Sequence, residues 1–352
     1  MASGLRERHV ERLIDSCYAD LDRSALGAQL VRRLPGILPV EAVFFASVDP
    51  ATLLFTSALA QEPLSGAAPL FLANEFGRDD VNKFADLARG PQVVTTLDRA
   101  TGGQRSASAR SREIMAGLGL GDELRAALVT GHECWGVLCL HRADADAGFS
   151  EADLAVIRKI TPHLAEALRR CVVHESLTRD GPRAAGSPGV VVLDADLSVV
   201  SISQDAERWL ARLDGPEVAG LPMSVYAVAA RPEQTGDPSQ RPGGVRLRTA
   251  DGQWLALHAT RLRGRAGDQV AVVVEPAPAA RLGSLLLAAH GLTPAQHRVA
   301  ALVLQGLSTR EIVARLHVSA YTVQEHLTAV FSRFGVRSRR ELITAILSPK
   351  DL

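Results

Sequence analysis

The chain has 352 residues, 47% of them hydrophobic and 22% charged, and its 39 basic and 39 acidic side chains give a formal net charge of zero. This length predicts two or three domains, and the composition is that of a globular protein rather than a disordered or fibrous one. No apolar run reaches the ~18–20 residues that a membrane helix needs, and residues 1–13 lack the pattern of a secretory signal. Four cysteines without a CxxC spacing or a metal-like pairing with histidine favour a reduced, cytoplasmic protein without a metal site.

Two stretches rich in proline, glycine, alanine and arginine interrupt the apolar pattern and are interpreted as linkers, at 178–189 and 275–283. The polar stretch 231–244 is expected to be a surface loop. The linkers divide the chain into three predicted domains, with bounds 1–177, 187–276 and 284–352.

The spacing of apolar residues in the first domain predicts an α+β fold. The expected elements, in chain order, are a helix over 5–34, a hairpin of Val40–Val48 and Leu53–Leu59, a second hairpin of Leu124–Val129 and Cys134–His141, and a long helix that begins near Phe149. The basic stretch 98–113 between the hairpins is either a contact for an anionic ligand or a solvated loop. Cys134 and Cys139 are five apart on one strand, so we expect their side chains on opposite faces of the sheet.

The end of this domain, WGVLCLHRADADAGFSEADLAVIRKITPHLAEAL at 135–168, resembles the end of GAF domains, where a central strand pair leads into an exit helix. The resemblance implies a small-molecule site between the sheet and the elements that cover it. The side chains that would line it are Phe45, Phe71, Phe76, Phe84, Trp135 and His141. The same residues are also those that an ordinary core would contain, and the cofactor, if there is one, is not identified by the sequence.

The second domain is also predicted to be α+β. Its expected elements are a hairpin of Gly189–Leu193 and Leu197–Ile202, a helix over 205–213, and strands at 245–249, 254–262 and 269–275. This order resembles a PAS domain, and the hairpin-to-helix step DADLSVVSISQDAE carries most of the likeness. The segment contains no cysteine that a flavin would react with, so a dimerising or signal-relaying role without a cofactor is the simpler interpretation.

Helix-start signals recur through the third domain. Capping-box pairs, an N-cap Ser or Thr followed three residues later by Gln or Glu, occur at Thr293/Gln296, Ser308/Glu311 and Ser338/Glu341. Together with the N-cap Ser319, they predict four short helices. The second and third of these, 308–316 and 319–334, have the spacing of a helix-turn-helix.

The charge is unevenly distributed along the chain. Residues 283–352 contain eight basic and four acidic side chains, a net charge of +4, so the rest of the chain carries −4. The zero net charge of the whole chain therefore does not exclude a nucleic-acid partner for the third domain.

Residues 292–342, LTPAQHRVAALVLQGLSTREIVARLHVSAYTVQEHLTAVFSRFGVRSRREL, resemble the LuxR-type (GerE-like) DNA-binding domain over its whole length. The likeness includes the opening Leu-Thr-Pro, Gly-Leu-Ser before the second helix, Thr-Val-x-x-His-Leu, Phe-Gly-Val and Ser-Arg-x-Glu. It implies an all-α, four-helix domain whose helix 319–334 enters the major groove. A four-helix protein-docking module is the alternative, and it leaves the arginines after Gly335 unexplained.

The resemblance also implies which side chains contact double-stranded DNA. Near the start of helix 319–334, the side chains that would face base edges are Gln324, Glu325 and Thr328. Tyr321 and Thr322 lie nearby, and the N-cap Ser319 belongs to the same DNA-binding set. Those that would contact phosphates are Thr309, Arg310, Arg337, Arg339 and Arg340. Gln324 and Thr328 occupy positions that often hold lysine in this family, so weaker nonspecific binding and a shallower salt dependence are expected.

The combined interpretation is a bacterial one-component transcription regulator with a GAF-like sensor, a PAS-like relay and a LuxR-type helix-turn-helix. A homodimer that binds operator DNA and responds to a small-molecule or protein signal is expected. No catalytic motif such as GxSxG, HExxH or a P-loop is present, so the chain is not expected to be an enzyme. The alternative is a protein-interaction scaffold with a DNA-binding tail and no small-molecule ligand.

Overall fold

A computed structural model describes residues 2–143, 147–177, 186–213, 217–218, 220–231, 244–264 and 267–347. Most of the expected linker 178–189 and of the expected surface loop 231–244 lies outside these residues. Among the described helices, none combines the length and the apolar character that crossing a membrane requires.

The N-terminal region contains a five-stranded antiparallel sheet. Its strands are β1 (Ala42–Val48), β2 (Phe55–Ala60), β3 (Val94–Thr96), β4 (Leu120–Thr130) and β5 (Glu133–Ala143). They lie in the order β2-β1-β5-β4-β3, and the two predicted hairpins, β1 with β2 and β4 with β5, are confirmed.

Helices cover both faces of this sheet. They are α1 (Ala2–Cys17), α2 (Arg23–Arg33), α3 (Ala68–Gly77), α4 (Phe84–Arg89), α5 (Leu97–Thr101) and α6 (Glu151–Leu177). Apolar side chains of α1, α2 and α6 form one core with one face of the sheet. Those of α3 and α4 pack on the opposite face. The long helix predicted to follow Phe149 is confirmed as α6.

The single helix predicted over 5–34 is wrong, because the chain forms α1 and α2 with a break between them. Asp22 caps α2, and its carboxylate accepts a hydrogen bond from the Ala25 backbone N–H at 2.7 Å. Both helices bury leucines in the same core, Leu13 from α1 and Leu26 from α2. The apolar spacing therefore continues across the break, and the sequence pattern does not reveal where α1 ends.

The expectation for Cys134 and Cys139 is also wrong. Gly136 pairs with Leu128 and Cys134 pairs with Val129, so Trp135 is an extra residue in a β-bulge. The bulge shifts the alternation of β5 by one residue. Both cysteines therefore contribute to the same core, on the α3 and α4 side of the sheet.

The central region contains a second five-stranded antiparallel sheet. Its strands are β6 (Gly189–Leu193), β7 (Val199–Ile202), β10 (Gly244–Arg248), β11 (Trp254–Gly264) and β12 (Gly267–Pro276), and a separate small pair is β8 (Glu217–Val218) with β9 (Leu221–Pro222). The order in the sheet is β10-β11-β12-β6-β7, and each of its strands was predicted. The predicted helix is present as α7 (Gln204–Leu210), whereas the sequence did not indicate α8 (Met223–Ala229).

Helix α8 lies between the two sheets. All seven of its residues are buried, and it contacts β2 and α3 of the N-terminal region as well as β10, β11 and β12 of the central sheet. Its Val225 and Tyr226 belong to a core that also contains Phe55 of β2 and Leu257 of β11. The first two regions therefore share one continuous apolar core.

The C-terminal region is helical, with α9 (Ala279–Ala289), α10 (Pro294–Leu304), α11 (Thr309–Leu316), α12 (Ala320–Phe334) and α13 (Arg339–Leu347). The four predicted helices, α10 to α13, are confirmed. Helix α9 corrects the prediction of a linker at 275–283 and begins before the predicted domain bound at 284. Leu282 and Leu285 of α9 pack with α6, whereas Leu286 and Leu287 belong to the core of the C-terminal helices.

Candidate functional sites

Helices α11 and α12 form the helix-turn-helix, and local hydrogen bonds fix both of its helix starts. Ser308 and Glu311 make a capping box, in which the Glu311 carboxylate accepts from the Ser308 backbone N–H at 2.7 Å. His317 adopts a left-handed conformation with φ of 54° and closes α11. Ser319 then caps α12 by accepting from the Thr322 backbone N–H at 3.0 Å.

One face of α12 is buried and the opposite face is open. Val323, Leu327 and Val330 are almost fully buried in the core of the C-terminal region. The helical period places the predicted base-reading residues on the other side. Gln324, Glu325 and Thr328 are exposed, and so is Tyr321, with 73% of its surface exposed.

Three of the predicted DNA-contacting hydroxyl groups already have partners within α12. The Ser319 and Thr322 hydroxyls lie 2.9 Å apart, and Ser319 also caps the helix. The Thr328 hydroxyl donates to the Gln324 carbonyl at 3.0 Å. The groups that remain free to contact base edges are the Gln324 amide, the Glu325 carboxylate and the Thr328 methyl group.

The predicted phosphate-contacting residues divide into two groups. Arg310, Arg337 and Arg340 are exposed around α11 and the start of α13. Arg339 is partly buried, and its guanidinium donates to the Leu307 carbonyl at 2.9 Å and to the Thr309 hydroxyl at 2.7 Å. Arg339 therefore ties the start of α13 to the start of α11, while the exposed arginines give this face its positive charge.

The opposite end of α12 points toward the N-terminal region. Phe334 stacks on His290 with ring centroids 3.9 Å apart, and Arg333 lines a cleft of about 530 Å³ together with Glu166 and Arg169 of α6. Among the described residues, no hydrogen bond or ion pair joins 319–328 to the N-terminal or central regions. The C-terminal region is thus joined to the rest of the chain through α9, which packs on α6, and the polar face of α12 stays open.

A buried ionic network lies under α3 and α4, on one face of the N-terminal sheet. The Glu123 carboxylate on β4 lies 2.6 Å from Arg110 and 3.0 Å from Arg125, and Arg125 reaches Glu75 of α3 at 2.7 Å. Their side chains are at most 2% exposed. Burial raises the pKa of Glu123, but the two guanidinium groups outweigh it and hold that pKa far below its usual range.

The candidate ligand-lining residues divide between the two faces of the sheet. Phe71, Phe76 and Phe84 pack on the side of the ionic network, where the Arg125 guanidinium lies 4.4 Å from the centre of the Phe84 ring. Phe45 and Trp135 lie on the opposite face, in the core that α2 and α6 share. The six residues therefore cannot line one site, because strand alternation and the bulge at Trp135 separate them.

His141, the sixth candidate, lies on the network side of the sheet beside Cys139. The Cys139 sulfur is 3.2 Å from His141 Nε2 and 3.2 Å from Glu123 Oε1. Burial lowers the pKa of His141 to about 4, so its imidazole is neutral at pH 7. A Cys-x-His pair on a strand places both side chains on one face, and this was the signal that the sequence analysis missed.

The stretch 98–113 is largely structured, which corrects its interpretation as a solvated loop. It contains most of α5, and Arg105 pairs with Asp98 at 2.6 Å. Arg110 is 1% exposed and belongs to the ionic network. The alternative of a contact to an anionic ligand is not supported at Arg110, because protein carboxylates already neutralise that side chain.

A second buried ion pair connects all three regions. Arg246 of β10 donates from Nε to the Asp49 carboxylate at 2.7 Å, and Asp49 lies in the turn that follows β1. Its Nη1 donates to the Arg281 carbonyl at 2.9 Å and to the Ser284 hydroxyl at 2.7 Å, both on α9. The two charged side chains are no more than 5% exposed, so this junction couples the N-terminal sheet, the central sheet and α9.

Comparison with known families identifies two of the regions. Residues 290–346 match the family model described as bacterial regulatory proteins, luxR family, and residues 22–168 match the GAF domain model. The fold indicates a protein with a helix-turn-helix joined to an α+β domain, and the two matches name the family of each of these domains. The chain contains a luxR-family helix-turn-helix domain of the kind found in transcription regulators, and an N-terminal GAF domain.

Individual relatives match the C-terminal segment. Proteins of Mycobacterium bovis and Mycobacterium tuberculosis, whose names describe HTH-type transcriptional regulators, are 48% identical to this chain over 52 residues. The match covers 15% of this chain and 6% of each relative, so the chain spans only a small part of their length.

Solved structures align with the N-terminal half. The GAF domain of an Acinetobacter phosphoenolpyruvate-protein phosphotransferase is 12% identical, and the alignment covers 48% of this chain and 96% of that one with a TM-score of 0.33. The VqsR LBD domain from Pseudomonas aeruginosa is 14% identical, with coverage of 47% and 96% and a TM-score of 0.33.

Proposed function

We propose that the protein is a bacterial one-component transcription regulator that binds operator DNA through α12. The observation that carries this proposal is the open polar face of α12 within a luxR-family domain that is joined to α6 through α9. A helix that presents polar side chains beside exposed arginines has the chemistry to enter a major groove.

Base recognition is assigned to the exposed side chains near the start of α12. The Gln324 amide can pair with adenine in a bidentate manner, and the Glu325 carboxylate can accept from the amino group of cytosine. The Thr328 methyl group suits a thymine methyl, since its hydroxyl is bonded within the helix. Ser319, Tyr321 and Thr322 lie at the same end and complete the contact surface.

Phosphate contacts are assigned to the exposed Arg310, Arg337 and Arg340. Arginine keeps its charge and forks onto phosphate oxygens, so these contacts hold the domain on DNA without reading sequence. Arg339 and Thr309, also proposed as phosphate contacts from the sequence, bond to each other in the free protein. Their contribution to DNA binding therefore includes holding α11 and α13 in register.

Signal reception is assigned to the GAF domain, and its most direct route to the DNA-binding helices is through α6 and α9. The C-terminal half of α6 contacts α9, and the Arg169 guanidinium donates to the Ala289 carbonyl at the end of α9. Arg246 connects α9 to both sheets. A change of packing under α3 or α8 would thus be transmitted to the orientation of the DNA-binding helices.

The central region is proposed to be a PAS-like relay between bounds near 187 and 276. Its sheet contains the same strand order as the N-terminal sheet, and α8 packs it against the GAF domain. This arrangement supports a relaying role, which requires no cofactor.

The operating form is proposed to be a homodimer located in the cytoplasm, with no enzymatic activity. Two copies would present two α12 helices to half-sites about one helical turn apart, ~34–36 Å. The effector is a small molecule or a partner protein. The alternative function, a protein-interaction scaffold with a DNA-binding tail, predicts no ligand-dependent change in melting temperature across a panel of metabolites.

Selection of bound DNA from a random library by the purified full-length protein tests the proposal. We expect enrichment of a sequence with two related half-sites, whose spacing reports the dimer. Gln324→Ala should change the preference at one base pair, whereas Arg340→Ala should weaken binding to every sequence and reduce the salt dependence. Failure to enrich any sequence, or unchanged binding by both variants, would overturn the assignment.

A further inference from the structure

Three potential metal ligands lie together inside the N-terminal sheet. Glu123 on β4 is paired directly with His141 on β5, and Cys139 is two residues away on the same face. The Cys139 sulfur lies 3.2 Å from Glu123 Oε1 and 3.2 Å from His141 Nε2, and the two latter atoms are 3.9 Å apart. All three side chains are at most 1% exposed.

These separations resemble those of a tetrahedral site. Zinc bonds of about 2.3 Å to sulfur and 2.0–2.2 Å to nitrogen and oxygen place neighbouring ligand atoms about 3.4–3.6 Å apart. Shifts of about half an ångström would bring the three atoms to these distances. We propose that Glu123, Cys139 and His141 form a binding site for a divalent first-row transition metal such as Zn²⁺ or Fe²⁺. These metals bind well to a set of one sulfur, one nitrogen and one oxygen ligand.

The arginines beside Glu123 orient its carboxylate for this role. Arg110 Nη2 lies 2.6 Å from Oε2, whereas Oε1, which faces the sulfur, lies 3.1 Å from Arg110 Nε and 3.0 Å from Arg125 Nε. Oε1 accepts the Cys139 thiol hydrogen, and the metal would replace that proton between sulfur and oxygen. Hydrogen bonds of this kind around a ligating carboxylate fix its orientation toward the metal.

Charge balance adds a requirement for the fourth ligand. The ionic groups of this network balance one another, with the cations Arg110, Arg125 and the half-buried Lys83 and the anions Glu75, Asp80 and Glu123. A dication that displaces one thiol proton adds one positive charge to this set. A monoanion as the fourth ligand would restore neutrality, and Arg125 has a buried Nη2 without a hydrogen-bond partner among the described residues. The proposed site therefore takes a metal together with a small anion.

Cobalt(II) is the probe, because a thiolate bound to it gives a charge-transfer absorption band. The full-length protein, treated with a chelator and dialysed, is titrated with CoCl₂ in chloride buffer. We expect the band to saturate at one equivalent and to be abolished by Zn²⁺. Cys139→Ala should lose the band and bind at least about 100-fold more weakly. The matched control is Cys134→Ala, since Cys134 lies on the same strand and in the same core but donates to the Gly136 carbonyl.

Folding of each variant is checked by circular dichroism and melting temperature. If Cys139→Ala does not fold, His141→Gln provides the second test, because it keeps the thiolate band but should weaken cobalt binding by a similar factor. Absence of a thiolate band in the wild-type protein would overturn the proposal. An unchanged band in folded Cys139→Ala, or its loss in Cys134→Ala alone, would do the same. None of these readouts involves DNA, so they are independent of the proposed regulatory function.

Discussion

The N-terminal and central sheets have the same topology but different interiors. Within each region the first two strands form one edge and the last strand lies in the middle, as β2-β1-β5-β4-β3 and β7-β6-β12-β11-β10. The face of the first sheet under α3 and α4 carries Glu123 and Arg125, and Arg110 pairs with Glu123 there. The covered face of the second is filled by apolar side chains such as Val272 and Val274, with Tyr226 of α8. Strand order alone therefore does not determine the chemistry of the enclosed face.

The difference matters for energetics as well as chemistry. A buried ion pair contributes little net stability, but removal of one partner leaves an uncompensated charge in a low-dielectric interior. An apolar interior responds to truncation only through lost contacts and cavity formation. The N-terminal interior should accordingly be the more sensitive of the two to a change of charge.

The largest effect is expected for Glu123→Gln, which removes the carboxylate that Arg110 and Arg125 share. We expect a loss in the free energy of unfolding in the upper part of the range of about 3–5 kcal/mol. Urea denaturation at pH 7 measures it. Glu113→Gln breaks the exposed pair with Arg78 and should cost less than ~1 kcal/mol. A comparably small loss for Glu123→Gln would mean that the interior network is not charged as described.

Arg246→Met tests the contact between the two sheets. It leaves the Asp49 carboxylate buried without its partner and removes the two hydrogen bonds to α9, for an expected loss of about 3 kcal/mol. Calorimetry should show a single thermal transition at a lower temperature, because the apolar core around α8 still joins the two sheets. Adding Asp49→Leu should recover most of the loss, and a single unshifted transition would contradict the coupling.

Leu257→Ala tests the apolar interior of the central region, as Glu123→Gln tests the ionic interior of the N-terminal region. Leu257 is fully buried on β11, so the truncation should cost roughly 2–3 kcal/mol through lost contacts and a cavity. Unlike the loss for Glu123→Gln, this loss should stay constant between pH 5 and pH 8 and between low and high salt. Urea denaturation in each buffer checks it, and a strong salt dependence would show that the central interior is not purely apolar.

The smallest effect concerns acid stability at the start of α6. Burial raises the pKa of Asp153, but hydrogen bonds from Ser150 and the ion pairs with Arg6 and Arg142 outweigh it and lower that pKa. A lowered folded-state pKa stabilises the fold above the ordinary carboxyl value of about 3.9, and this contribution is lost as the pH falls through the folded value. Asp153→Ala should thus cost about 1 kcal/mol at pH 7.

The measurement for Asp153 is the difference in melting temperature from the wild-type protein between pH 7 and pH 3. The difference between the two proteins should become smaller at the acidic end, since the stabilisation from a lowered pKa begins to be lost below the ordinary carboxyl value. A difference that persists unchanged at pH 3 would show that the side chain acts through packing rather than charge.

The sequence predicted the elements whose signals are local. The capping boxes at Thr293 and Ser308 and the turn after Phe334 depend on residues within four positions, and each is present. Helix α8 has no capping side chain and is buried on every side, so it carries no periodic pattern. Helix α9 contains Gly283 and follows two prolines, residues that are typical of a linker, so its local sequence did not indicate a helix.

The two candidate sites also differ in how far the sequence predicts them, because one depends on local signals and the other on contacts between distant residues. The exposed face of α12 follows from helical periodicity and family likeness within one short segment. The ionic network depends on partners 50 residues apart in the case of Arg125 and Glu75, and 13 apart for Arg110 and Glu123. Such pairs come together only through the sheet topology, which no local pattern specifies. The separation of Phe45 and Trp135 from the other aromatic candidates arises likewise from the strand faces and the bulge.

The position of α8 limits how freely the regions of this protein can be exchanged in evolution. Because α8 covers β2 and α3 while belonging to the central region, a GAF domain transplanted without it would expose an apolar surface to water. A hybrid regulator that combines this sensor with a different output would have to inherit residues 223–229 or an equivalent lid. The N-terminal and central regions are therefore expected to be inherited as one unit, with only the C-terminal helices free to be replaced.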